Sequence, residues 1–309
     1  MAKRAPSDIN LLFAVDKPAG CTSHDVVGKA RRALGVRRIG HAGTLDPLAT
    51  GVMLLGVGQA TRLLGMLTLD QKSYIATISF GTETNTDDAE GEVTRTAVWD
   101  ESLAEPARAQ EVLNGFLGPQ MQVPPAFSAI SVNGVRAYKS ARAGEEIELP
   151  ARPVEVLAAQ LLTCDALDGE LIWNVAFTVS KGTYIRSLAR DIGRSVNSAA
   201  HISGLRRTSS GAVNLVDAIK VEELQKESIR EHMLDPLQLL DIPAVELPES
   251  VLASILNGQR VKMSGDVCDI DSPEFFGLVV SGQLRAIALA EKGYYVMRDV
   301  FPQGIEGVR

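Results

Sequence analysis

Cysteine is scarce in this chain: three in 309 residues, Cys21, Cys164 and Cys268, far apart and without a C-x-x-C pair. That spacing suggests neither a disulfide framework nor a zinc knuckle, and it fits reduced thiols of the cytoplasm. The histidines, at positions 24, 41, 201 and 232, lack metal-ligand spacing, so no metal is expected. No apolar run approaches the roughly 18 residues of a membrane span, and "LLFAV" near the start is too short for a signal-peptide core. Repeats and low-complexity tracts are missing too. Basic excess is also lacking: 31 Lys and Arg against 38 Asp and Glu leave a formal charge of −7, which alone argues against a nucleic-acid partner.

The distribution of charge argues the other way. Residues 28 to 41, "GKARRALGVRRIGH", hold Lys29, Arg31, Arg32, Arg37 and Arg38 with no acid. Residues 181 to 207 add Lys181, Arg186, Arg190, Arg194, Arg206 and Arg207 against Asp191 alone, while acids gather in "ETNTDDAEGE" and "VEELQKESIREHMLD". A partner senses local potential over about 8–10 Å, so separated basic patches can outweigh the net value. Each run taken singly also reads as a solvated helix face.

The length and a near-average apolar fraction of 45% suit a large domain with a small one behind it. "DKPAGCTSHDVVGKARRALG" predicts a turn and then a helix that Thr22 caps with Asp25, ending at Gly35. "GVMLLGVG" reads as a buried strand and "QATRLLGMLTL" as a helix. "KSYIATISFG" alternates, placing Tyr74, Ala76, Ile78 and Phe80 on one face. The acidic stretch from Thr82 to Glu92 reads as a surface loop, and Asn133-Gly134 as a hairpin turn. In "GTYIRSLARDIGRSV" a helix is expected, capped near Thr183, with Ile185, Leu188, Ala189, Ile192 and Val196 inward and Arg186, Arg190 and Arg194 along one side. Prolines at 236, 243 and 248 suggest a boundary close to residue 243. Beyond it, a short helix stopped by Gly258 and strands joined by Ser281-Gly282 and Lys292-Gly293 turns compose a small β-rich module.

Familiar catalytic signals fail. "GVRRIGH" has the glycine interval of a phosphate loop, but His41 and Ala42 stand where Lys and Ser/Thr are required. "GVGQATR" lacks the third glycine of a dinucleotide fingerprint, and "NTDDAEGE" does not have calcium-loop spacing. Asp46 in "GHAGTLDPLATG" is the remaining question, since an aspartate before proline is by itself a common turn former.

Taken in order, "DKPAGCTSHDVV", "GHAGTLDPLATGVMLLGVGQATRLL", "KSYIATISFGTETNTDDAEGEV" and "GTYIRSLARDIG" resemble the bacterial tRNA pseudouridine-55 synthases of the TruB family, over about residues 11 to 215. The segment "VPPAFSAISVNGVRAYKSARAGEEIELPARPVEV" resembles the stand-alone bacterial members rather than guide-RNA-dependent relatives. Ala42, where the family commonly has threonine, and Cys21 depart from its pattern.

The resemblance implies an α+β pseudouridine-synthase fold with a mixed, mainly antiparallel sheet. It places the catalytic domain at 1–243, with an RNA-binding insertion at about 119–155, and a PUA-like β module at 244–309. It implies base flipping and isomerisation of the T-loop uridine of tRNA, with the T-arm stem-loop as partner and with no cofactor, guide RNA or membrane. Asp46 then corresponds to the catalytic carboxylate and Arg186 to the arginine that pairs with it. Tyr74 corresponds to the tyrosine that stacks on the target base. Tyr184 and Leu205 correspond to uracil-pocket residues, and His41 to the histidine that enters the T-loop stack. Lys17, Arg37 and Arg38 are expected to contact phosphates. Each residue also has a plainer reading as a turn, core or surface residue. The competing class is a non-catalytic RNA-binding module in which Asp46 is structural.

Overall fold

The computed structural model describes residues 8–67, 71–128, 131–132, 135–136, 149–167, 169–263 and 275–309. The strands of its first half are β1 Leu12–Lys17, β2 Ile39–Ala42, β3 Thr50–Val57, β4 Gln71–Phe80, β5 Thr82–Thr84, β6 Val93–Thr96, β7 Gly118–Gln122, β8 Ser131–Val132 and β9 Val135–Arg136. Those that follow are β10 Arg152–Leu167, β11 Glu170–Ser180, β12 Ala200–Ser210, β13 Val213–Asn214 and β14 Ala218–Lys220. The last are β15 Ala244–Glu246, β16 Val261–Lys262, β17 Phe276–Val280, β18 Gln283–Glu291 and β19 Tyr294–Ile305. The main helices are α1 Ser23–Leu34, α2 Pro106–Asn114 and α3 Ile185–Ser195. Among the described residues no helix is long and apolar enough to cross a membrane.

The chain divides into two compact units, one of Met1–Pro47, Gly51–Thr68 and Gly211–Arg309, the other of Leu48–Thr50 and Leu69–Ser210. In the first, β1 lies between β14, which runs parallel to it, and antiparallel β3, and β2 pairs antiparallel with β3. Phe13, Val15, Met53 and Leu55 pack there with Val26, Val27, Ala30 and Leu34, the apolar stripe of α1. The Thr22 and Asp25 capping box forms as the sequence predicts, and Gly35 closes α1 at φ 66, a left-handed conformation natural to glycine. "QATRLLGMLTL" departs from its expected helix. A 3-10 helix stops at Arg62 and turns follow; the left-handed Gly58 that starts it sits against Asn10, whose Oδ1 takes the Gln59 N–H at 2.8 Å.

The same unit carries the C-terminal β module, ordered β15-β17-β18-β19-β16. Its core includes Phe276, Leu278, Ala286, Ala288 and Tyr295. Both expected hairpin turns are present, with positive φ at Ser281, Gly282, Lys292 and Gly293, as tight hairpins of native twist require.

In the second unit the order is β12-β4-β11-β10-β7, each neighbour antiparallel. β4 and β11 alternate in burial, and Phe80 packs on Trp173 with ring centroids 4.5 Å apart. Helix α3 packs so closely on β12 that a Cβ on Gly193 would stand 2.6 Å from the Ala200 nitrogen. β8 and β9 pair, while the Asn133-Gly134 turn between them, like much of the 119–155 segment, lies outside the described residues.

Candidate functional site

The first unit carries Asp46 together with Lys17, Arg37, Arg38 and His41. β2 leads into the loop that carries it, with Gly43 at φ 75 making the turn. The loop is pinned on both sides of the aspartate. Ser23, buried at the start of α1, donates from Oγ to the Leu45 carbonyl at 2.9 Å and accepts the Leu45 N–H at 2.8 Å. The Pro47 carbonyl accepts from Gly20 N at 3.0 Å and from Lys17 Nζ at 3.2 Å. Asp46 itself stays half-buried, neither sealed in the core nor freely exposed. The hydrogen bonds on Leu45 and Pro47 fix the backbone on either side of Asp46.

Of the expected phosphate contacts, Arg37 and Arg38 are exposed between α1 and β2, Arg38 donating from Nε to Thr61 Oγ1 at 2.8 Å. Half-buried His41 follows on β2. Lys17 differs from the expectation. It is fully buried, its ammonium spent on the Pro18 and Pro47 carbonyls at 3.0 and 3.2 Å, so it holds the loop and presents no charge to a phosphate. A buried ammonium must keep hydrogen-bond acceptors around it, and the two proline carbonyls supply them.

In the second unit Tyr74 lies on β4 opposite Phe177 of β11 and Arg207 of β12, so the three share a face. Tyr74 is buried, 7% exposed. Leu205, half-buried, sits across from Ala76 on the same strand pair. Tyr184 is the N-cap of α3, a position the sequence assigns to the neighbourhood of Thr183. No side chain of the loop itself caps this helix. Instead Gln122 at the end of β7, buried, accepts the Tyr184 N–H at 2.8 Å and donates to its carbonyl at 3.1 Å. The Thr183 hydroxyl turns to Ser180 Oγ at 3.4 Å.

The arginines of α3 correct the reading of charge. Arg186 and Arg190 are buried while Arg194 stays exposed, and the stretch Thr82 to Glu92 is not wholly a solvated loop, because Glu83, Asp87 and Asp88 are buried against these arginines. Arg194 grips Glu83, Nη2 to Oε2 at 2.6 Å, and Arg95 takes the other carboxylate oxygen, also at 2.6 Å. Arg190 donates to Asp87 at 2.8 Å. Arg186, 4% exposed, stands 3.5 Å from Asp88 and donates to the carbonyls of Thr86 at 2.7 Å and Phe127 at 3.1 Å. Burial pushes the Asp87 carboxyl up to about 6, with Arg190 pulling against it. Glu83 is also pushed up by burial, but hydrogen bonds from Arg194 and Arg95 outweigh that and hold it below the ordinary carboxylate value. Ser23, Gln122, Glu83 and Asp87 are thus working residues that sequence reasoning missed. Only the four-residue spacing of the arginines, beside acids at 83 and 87, hinted at the last two.

Against known proteins, residues 31–185 match the model of the TruB family pseudouridylate synthase N-terminal domain, and residues 186–242 that of the tRNA pseudouridylate synthase B C-terminal domain. A tRNA pseudouridine synthase B of Paenarthrobacter aurescens (strain TC1) is 46% identical over 296 residues, covering 92% of each chain. One of Mycobacterium sp. (strain KMS) is 45% identical over 258 residues, 82% of this chain and 85% of its own. Among solved structures, the archaeal box H/ACA sRNP Nop10-Cbf5 complex contains a chain that matches with a TM-score of 0.62 at 21% identity, covering 95% of this chain and 86% of that one. Likeness at that identity speaks for the fold alone.

Proposed function

The chain belongs to the TruB family of pseudouridylate synthases, enzymes that isomerise uridine in tRNA to pseudouridine, and from that premise we propose that its target is the T-loop uridine at position 55. The reaction breaks the bond from ribose C1′ to uracil N1, turns the base and joins C1′ to C5, with a proton leaving C5 and one arriving at N1. Nothing is hydrolysed or oxidised, so the chemistry calls for neither an energy source nor a redox cofactor. A single carboxylate suffices to stabilise or capture the electron-poor centre, by the logic of retaining glycosidases.

Asp46 is the proposed carboxylate, and the observation that carries this reading is its setting. The residue is half-buried, while the residues before and after it are tied by Ser23, Lys17 and Gly20. Tyr74 is assigned the stacking surface for the flipped base, which returns part of a stacking loss of a few kcal/mol. Arg186 is assigned a cationic role toward the reacting groups, Tyr184 and Leu205 the uracil pocket, and His41 a stacking role in the emptied T-loop. Arg37 and Arg38 are assigned phosphate contacts on the T-arm stem-loop. Residues 244–309 are assigned further RNA contacts as a PUA-like module, and the 119–155 segment those of an inserted RNA-binding element. The cytoplasm, where tRNA is modified, is the proposed location, and no guide RNA is required.

The test is incubation with an unmodified tRNA transcript and with a bare T-arm stem-loop, followed by primer extension after carbodiimide treatment. Wild type is expected to create a stop at position 55, and Asp46→Asn to bind the RNA yet create none. RNA binding without any stop from either protein would replace this reading with that of a non-catalytic RNA-binding module.

A further inference from the structure

Helix α3 carries arginines one turn apart, and the proposed chemistry uses only Arg186. Arg190 remains unexplained, although it is 9% exposed and heavily bonded. Its Nη1 donates to Asp87 Oδ2 at 2.8 Å, its Nε to Asp191 Oδ1 at 2.9 Å and its Nη2 to the Val123 carbonyl at 2.9 Å. The guanidinium therefore joins three pieces of chain: its own helix, the acidic segment, and the residues that follow β7.

Those last two pieces are the ones that hold Arg186. Thr86, whose carbonyl accepts from Arg186 Nη1 at 2.7 Å, immediately precedes Asp87. Phe127, whose carbonyl accepts from Nη2 at 3.1 Å, lies four residues beyond Val123. Asp87 is also left-handed, φ 59, a conformation that aspartate adopts more readily than most L residues when neighbours hold it. Its holders are Arg190 on one side and, on the backbone, the Ile202 N–H, which reaches the Asp87 carbonyl at 3.1 Å.

We propose that Arg190, paired with Asp87, is a positioning residue for the reaction: by clamping Asp87 and Val123 it fixes the Thr86 and Phe127 carbonyls, and so aims the Arg186 guanidinium. The proposal rests on the reading that Arg186 serves the reaction, and it adds two residues outside the assigned substrate-binding set. An arginine fork fits this task because it spans three acceptors in a plane, which a lysine cannot do.

The experiment compares wild type, Arg190→Met, Arg190→Lys and the apolar pair Asp87→Leu with Arg190→Met, each as the full chain on unmodified tRNA. Replacing both members of a buried ion pair by apolar residues is often neutral for stability, whereas removing one leaves a stranded charge. The pair variant is therefore expected to melt above Arg190→Met alone and below wild type, because leucine at the left-handed position 87 is strained. Its kcat is expected to fall about 10- to 100-fold, since small misplacements of a reacting group have that effect. KM for tRNA is expected to stay within about threefold, because no RNA-binding group is touched. Arg190→Lys, which keeps the charge without the fork, is expected to recover only part of the rate.

A folded pair variant that turns over at full rate overturns the inference, as does a loss of rate in any variant that merely tracks its unfolded fraction. Should the pair variant not fold, Arg190→Lys decides: full kcat in the folded protein overturns the inference, and a reduced kcat at unchanged KM supports it. A wild-type chain that makes no pseudouridine overturns the proposed function and this inference together. An active wild type with an inactive Asp46→Asn isolates the inference as the part under test.

Discussion

At the scale of single residues, two neighbouring carboxylates respond to the same arginine helix in opposite directions. Glu83 has two arginines on its oxygens and is held below its ordinary value, while Asp87 has one and is pushed up to about 6 by burial. The groups that act on Asp87 through space are Arg190, Arg186 and Arg194, which favour its charge, and Asp191, which opposes it. A carboxyl raised on folding contributes stability that is full below its unfolded value of 3.8 and lost as pH rises through about 6. The unfolding free energy of wild type relative to Asp87→Asn is thus expected to decline between about pH 4 and about pH 7, by roughly 3 kcal/mol. Denaturant melts of both proteins across that range check it, and a flat difference would refute the assignment. Glu83 contributes in the reverse sense, its stabilisation being lost as pH falls through its depressed value.

At the scale of elements, caps decide where the site residues stand. The start of α1 was legible because Thr22 and Asp25 are neighbours in the chain and form their box locally. The start of α3 was not, because its N-cap residue, Tyr184, is held by Gln122 of β7, some sixty residues earlier. Tyr184 owes its position to that glutamine. Gln122→Ala removes both bonds, while the Tyr184 carbonyl keeps the Leu188 N–H at 3.0 Å, and the loss is expected to cost about 1 kcal/mol. It is also expected to raise KM for tRNA through displacement of Tyr184, whereas Thr22→Ala, about 1 kcal/mol by loss of its cap, leaves KM unchanged. Thermal melts and steady-state kinetics of the two variants separate these effects.

At the scale of the whole molecule, the question is which positive charge is left to meet RNA. In the basic run at 181–207, Arg186 and Arg190 are buried against Asp88 and Asp87, Arg194 pairs with Glu83 while staying exposed, and Lys17 is buried on carbonyls. Arg37 and Arg38 remain exposed. Counterion release ties the salt dependence of binding to phosphates actually contacted. Arg37→Ala and Arg38→Ala are each expected to lower the slope of log affinity against log salt by about 1, whereas Lys17→Met and Arg190→Met leave it unchanged. Filter binding of tRNA over a salt series measures this, and equal effects from all four would refute it.

The sequence alone determined the features that neighbours in the chain can encode. These are the alternation of β4, the apolar stripe and cap of α1, the two left-handed hairpin turns, and the motif order by which the family is recognised. Only the tertiary structure decided which charges are free and which are consumed. Glu83, Asp87 and Asp88 meet their arginines across about a hundred residues, and Lys17 meets Pro47 across a loop. The physical reason is that a charge's effect depends on what desolvates it and what faces it, and both are settled when distant segments close on each other.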